Sequence, residues 1–153
     1  MSRHTPVVTG VAWRHVWIWV VLISAGHVGR TALDWRVPTD DFTLRSAATS
    51  YFAIALFATA GLSAAWRSRS ALAGVLAGLV ISVTSAATSL LGSLTLLAIW
   101  HDPATMIAIR GSGGLDEVFT LPLVMIVPAT IVAALGALAG KGLAWSLRSD
   151  LAQ

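Results

Sequence analysis

Histidines and carboxylates are the residues in this sequence best equipped for chemistry. There are four histidines and seven acidic residues. His27, His101, Asp102, Asp116 and Glu117 fall close to the ends of long apolar stretches, on what the charge pattern makes the outer side. Neutral imidazole beside carboxylate is metal-ligand chemistry. Two histidines on facing helices could also hold a haem axially or hydrogen-bond a quinone or lipid headgroup. No spacing matches a ligand motif such as H-E-x-x-H, and neither G-x-x-x-x-G-K-[ST] nor G-x-G-x-x-G occurs. The plainer reading is that these polar groups satisfy helix ends and interfacial water, with Asp116 and Glu117 complementing a helix dipole. His4 and His15 fall on the opposite, inner side. With no cysteine, thiolate catalysis, iron–sulfur ligation and disulfides are excluded. No metal and no cofactor is expected.

A second constellation is made of small and hydroxylated residues. At about 100° per residue, Ser82, Ser85, Ser89 and Ser93 share a face with Gly74, Gly78 and Gly92, and Thr84, Thr88 and Thr95 extend the arc. Leu79, Val83, Leu90, Leu94 and Leu97 fill the other side. Lipid offers no hydrophobic reward for helix association, so small faces that let backbones approach hold such bundles together. Gly74-x-x-x-Gly78 and Gly136-x-x-x-Gly140 both fit that role. A hydroxyl-lined path for a polar solute is the functional alternative, but the stretch from Ser70 to Trp100 carries no ionisable residue.

The elements that must position these residues follow from composition. Hydrophobic residues make up 56% of the 153 and charged residues 11%, with a mean hydropathy of +0.79. A water-soluble domain carries about 25% charge, so lipid must cover much of this surface. Uncharged runs of 21, 31 and 23 residues extend over Ser46–Trp66, Ser70–Trp100 and Val118–Gly140. Each can cross a hydrocarbon core that needs about 20 apolar residues. A first span rests on the 15 residues between Arg14 and Arg30, lengthened if both arginines snorkel and anchored by Trp13, Trp17 and Trp19. Ser24-Ala25-Gly26 also resembles a signal-peptidase site, but a retained span is the expectation because the segment before it is long. The fold class expected is all-α: an integral membrane protein with four transmembrane helices, about 12–30, 46–66, 71–100 and 118–143, in an up-down-up-down bundle forming a single domain over 1–153. Pro122 and Pro128 should kink the fourth helix, with Thr130 able to satisfy freed carbonyls. Residues 31–45 and 101–117 are the longer outer loops, and Met106–Arg110 is apolar enough to lie on the bilayer surface.

With the N-terminus inside, Arg3, Arg14, Arg67, Arg69, Lys141 and Arg148 are inner. Arg30, Arg36, Arg45 and Arg110 are outer, with six of the seven acids. The positive-inside rule then puts both termini in the cytoplasm. Nine arginines against one lysine suit a bacterial inner membrane. No basic run exceeds Arg67–Ser68–Arg69, so nucleic-acid binding is not expected. The partners expected are the lipid bilayer and other membrane-protein subunits or the chain itself. The functional expectation is a non-catalytic accessory subunit or self-associating bundle. The alternatives are a metal, haem or quinone protein using His27 and His101, and a transporter or channel along the hydroxylated face of the third span.

Overall fold

The computed structural model describes the backbone of residues 7–37, 39 and 41–150, and the side chains of 16–37, 39 and 41–146. His4 and Arg3 lie outside the described residues, as do the side chains of Trp13, Arg14, His15 and Arg148. All described regular structure is helical: α1 (Val7–Arg36), α2 (Phe42–Ser68), α3 (Ala71–Ile99), α4 (Pro103–Gly111), α5 (Gly114–Val124) and α6 (Ile126–Asp150). Four segments are long and apolar enough to cross a membrane, the last being α5 and α6 together over Gly114–Ser146. This is a small polytopic membrane protein built as a four-helix bundle. At about 1.5 Å per residue, α3 is about 43 Å long, more than a core of about 30 Å needs.

The first connection differs from expectation. Helix α1 runs past Arg30 to Arg36 and α2 starts at Phe42, so the outer loop shrinks to residues 37–41. Asp41 caps α2 by accepting from the Thr43 N–H at 2.9 Å. On the opposite side, Arg69 ends α2 in the left-handed region (φ 57°) and Ser70 caps α3, giving the expected tight turn.

Inside the bundle, α6 packs mainly against α2 and α3, while α1 packs against α3 and α2. The closest layer is built from glycine. A Cβ at Gly61 would run into the Ala133 carbonyl, one at Gly136 into the Ala58 carbonyl, and one at Gly140 into the Leu62 carbonyl. Gly74 and Gly78 sit against the methyls of Ala137 and Ala133, and Gly92 against Val28. Backbones meet here with no side chain between them, as expected where dispersion replaces the hydrophobic effect. Higher up, Val16, Val20, Ile23, Phe57 and Ile81 form the bulkier core.

The last span breaks its regular helix at the single residue Met125, between Pro122 and Pro128. Met125 still donates its N–H to Leu121 O (3.0 Å) and accepts from Ala129 N–H (2.9 Å), so the ladder is interrupted only locally. Thr130 does not bond a carbonyl freed by proline; its hydroxyl donates to Ile126 O at 2.7 Å.

Candidate functional site

Arg30 and Asp34 stand one turn apart on α1, and Arg45 and Ser46 face them from α2. Arg30 Nε donates to Asp34 Oδ2 at 3.2 Å, and its Nη2 donates to Ser46 Oγ at 2.7 Å. Arg45 Nη1 donates to Asp34 Oδ1 at 3.3 Å and to Val37 O at 2.7 Å. Asp34 is only 6% exposed. A buried carboxylate is tolerable when its lone pairs are filled by charged donors, and here two guanidinium groups fill them. Arg30 thus joins α1 to α2, and α1 continues past it to Arg36.

This cluster borders a cavity of about 130 Å³ whose walls include His27, Arg30, Asp34, Trp35, Thr49, Ser89, Ser93, Ser112 and Glu117. A second cavity, about 140 Å³, lies between α2, α3 and the Pro122–Pro128 segment, walled by Phe57, Ser82, Ser85, Ala86, Met125 and Ala129 among others. His27, Ala53, Pro122 and Met125 line both. Through these shared walls the two cavities adjoin as a crevice that is mostly apolar throughout, with its charged lining residues Arg30, Asp34 and Glu117 in the outer half. His27 sits at the junction with its Nδ1 3.5 Å from Ser89 Oγ. A cavity of about 150 Å³ can take a benzene-sized molecule, so each half is large enough for a ring or a short chain.

The hydroxyl face of α3 borders this crevice. Gly74, Gly78, Ser82, Ser85, Ser89 and Ser93 are all buried, as are Gly136 and Gly140 on α6, and Gly92 is half-buried. Thr88 and Thr95 depart from the expected arc: both are exposed and return their hydroxyls to the carbonyls of Thr84 and Leu91. Ser82 donates to Gly78 O at 2.7 Å. Ser85 behaves differently. It is 2% exposed, and its Oγ has no hydrogen-bond partner. Leaving a buried hydroxyl unpaired costs about 1–3 kcal/mol, and this one lines the inner cavity. Ser82 is the innermost α3 residue lining it, and Gly78 and Gly74 beyond it carry the α3 backbone onto α6.

The five residues singled out by type do not converge. His27 and Glu117 line the outer cavity; His101, Asp102 and Asp116 do not. His101 is exposed with Nδ1 3.2 Å from Ala98 O. Asp102 caps α4, accepting from the Thr105 N–H (3.0 Å) and hydroxyl (2.7 Å). Those bonds hold its carboxyl below the usual value of 3.8, Thr105's hydroxyl first and its N–H second. Asp102 also faces Arg36 at 3.9 Å, and that guanidinium lies 4.7 Å from the Trp100 ring centre. Asp116 and Glu117 occupy the first turn of α5, where a helix dipole favours them. Among the described residues, no group of three or more His, Asp or Glu side chains is placed to hold a metal. The Met106–Arg110 segment belongs to α4, which buries Thr105, Ala108 and Ile109 and packs on α1.

Sequence reasoning missed Asp34 and its two arginines as a unit. The signal was there: Arg30 and Asp34 are spaced i, i+4, a pairing that counts only if the helix continues past Arg30. Comparison with models of known protein families, with curated proteins and with solved structures finds no match. The functional reading therefore rests on the crevice.

Proposed function

We propose that this protein is a membrane-embedded binding protein for a small amphiphile, held in the crevice with its polar part at His27 and its apolar part against Phe57 and Met125. The observation that carries this reading is the pairing, through shared walls, of a cavity with several charged and polar lining groups and one that is almost wholly apolar. Ligand sites are typically concave and mostly apolar, with a few convergent polar groups. The glycine layer beyond Ser82 supports a blind binding site over a conducting path. The chain acts as one four-span domain in a bacterial inner membrane, with both termini cytoplasmic and the mouth of the crevice outside. The basic residues of the α2–α3 turn, Arg67 and Arg69, support that orientation.

The accessory-subunit reading drew on small-residue faces, and those faces are occupied within the bundle. What remains for it is the outward apolar surface, including Tyr51, Val127, Leu135 and Leu138, which lipid also covers. Native mass spectrometry of the full chain, gently extracted from its host membrane, separates the readings. A discrete added mass of small-molecule size is expected. It should disappear in Ala53→Phe, which fills the shared wall of both cavities. A bare chain overturns the binding reading, and larger subunits in fixed ratio without added mass favour the accessory one.

A further inference from the structure

Resting on the binding reading above, we propose that the occupant is a neutral ring bearing hydrogen-bonding oxygens, of the quinone class, seated in the inner cavity between Ser85 and His27. Charge narrows the choice first. No Asp, Glu, Lys or Arg lines the inner cavity, so a full charge of either sign would lack a counter-ion in a low-dielectric site. The outer half supplies none for an anion: Arg30 and Arg45 are committed to Asp34, Ser46 and the Val37 carbonyl, and Glu117 adds a carboxylate to the lining. Fatty-acid and phosphate headgroups are therefore disfavoured.

Hydrogen bonding narrows it further. The inner cavity offers three hydroxyl or imidazole groups, Ser82, Ser85 and His27. The Ser82 hydroxyl is already given to Gly78 O, whereas Ser85 Oγ is buried with no partner. A ring oxygen accepting from Ser85 would complete it, and a second oxygen on the far side of the ring would meet the His27 imidazole. The walls suit a flat molecule. Phe57, Pro122 and Pro128 present rigid surfaces, and the Met125 thioether makes favourable contacts with ring edges. The volume, about 140 Å³, matches a single ring, and the adjoining outer cavity leaves room for substituents.

The test is saturable binding of ubiquinone-1 to the full chain in phosphatidylcholine nanodiscs, measured by calorimetry beside oleate as an anionic comparator. Ubiquinone-1 should saturate near one per chain, and oleate should not compete. Ser85→Ala should weaken binding about three- to tenfold, the loss of one neutral hydrogen bond. The unliganded Ser85→Ala protein should unfold at the same or a slightly higher temperature, because the variant removes a hydroxyl that bonds nothing; a purely structural serine would lower it. Ala53→Phe should abolish binding while keeping the helical content. Unchanged affinity in Ser85→Ala, or no saturable quinone binding, overturns the proposal. If oleate binds and Ala53→Phe prevents it while the quinone does not bind, the ligand class fails and the crevice stands. If neither probe binds and no added mass is carried from the membrane, both fail.

Discussion

Replacing Asp34 by alanine removes the carboxylate that two arginines share and leaves both guanidinium groups half-satisfied. Its contacts with Arg30 and Arg45 measure 3.2 and 3.3 Å, and hydrogen bonds to charged groups contribute about 1.5–3 kcal/mol each. Removing one member of a buried pair costs about 3–5 kcal/mol, because the other charge stays behind. The arginine side chains are 20% and 23% exposed, and each keeps another acceptor, Ser46 Oγ or Val37 O. The lower end, about 3 kcal/mol, is therefore expected. Reversible unfolding in mixed micelles, followed by circular dichroism, would read this loss. Asp34→Ala combined with Arg45→Ala should cost less than the sum of the single variants, since removing the arginine relieves the charge the first variant strands. An Asp34→Ala protein within about 0.5 kcal/mol of the parent, or strictly additive losses, would refute the assignment of this cluster as the α1–α2 clasp.

Two further outcomes follow from the packing and the caps. Gly136→Ala should destabilise the bundle by about 2 kcal/mol or more, as overpacking against the Ala58 backbone demands. Gly29→Ala, with nothing within 4 Å of the added methyl, should be neutral or stabilising by about 0.5–1 kcal/mol in the same assay. The α4 cap should titrate: because Asp102 is held below 3.8 by Thr105, its contribution is fully present above that value and is lost as pH falls through the lower folded value. Hydrogen exchange of the α4 amides should therefore keep the pattern expected for a capped helix from neutral pH down to about 4. Asp102→Ala should remove the difference between pH 4 and more acidic samples.

The bundle was legible because its signals are long. Uncharged runs of 20 residues or more, bounded by charge, leave little choice in a bilayer, and α2 and α3 lie within a few residues of where those runs place them. The small face of α3 was legible for the same reason: a periodicity sustained from Gly74 to Ser93 survives local irregularity. Helix ends were harder to read. Arg30 looked like a boundary because a charge ends an apolar run, yet a helix continues through a charge whose partner lies one turn on. The crevice was least legible. It depends on the helix break at Met125, on Ser85 lacking a partner when Ser82 has one, and on which glycines meet a carbonyl; none of these is written in residue type. Of the histidine–carboxylate grouping, only His27 and Glu117 line the outer cavity, because similar positions along a span do not put side chains on one face.

On the proposed binding function, the crevice opens at one end of the bundle and stops at the glycine layer of α2, α3 and α6. The most direct measurement uses the absence of cysteine in the chain: Ser89→Cys as the single thiol, in sealed vesicles, with a small charged thiol reagent added to one side at a time. Reaction is expected only from the side of the α1–α2 loop, where Glu117 lies, and not from the side of the Arg67–Arg69 turn. Equal labelling from both sides would mean that the path continues through the membrane, and would contradict a blind binding site.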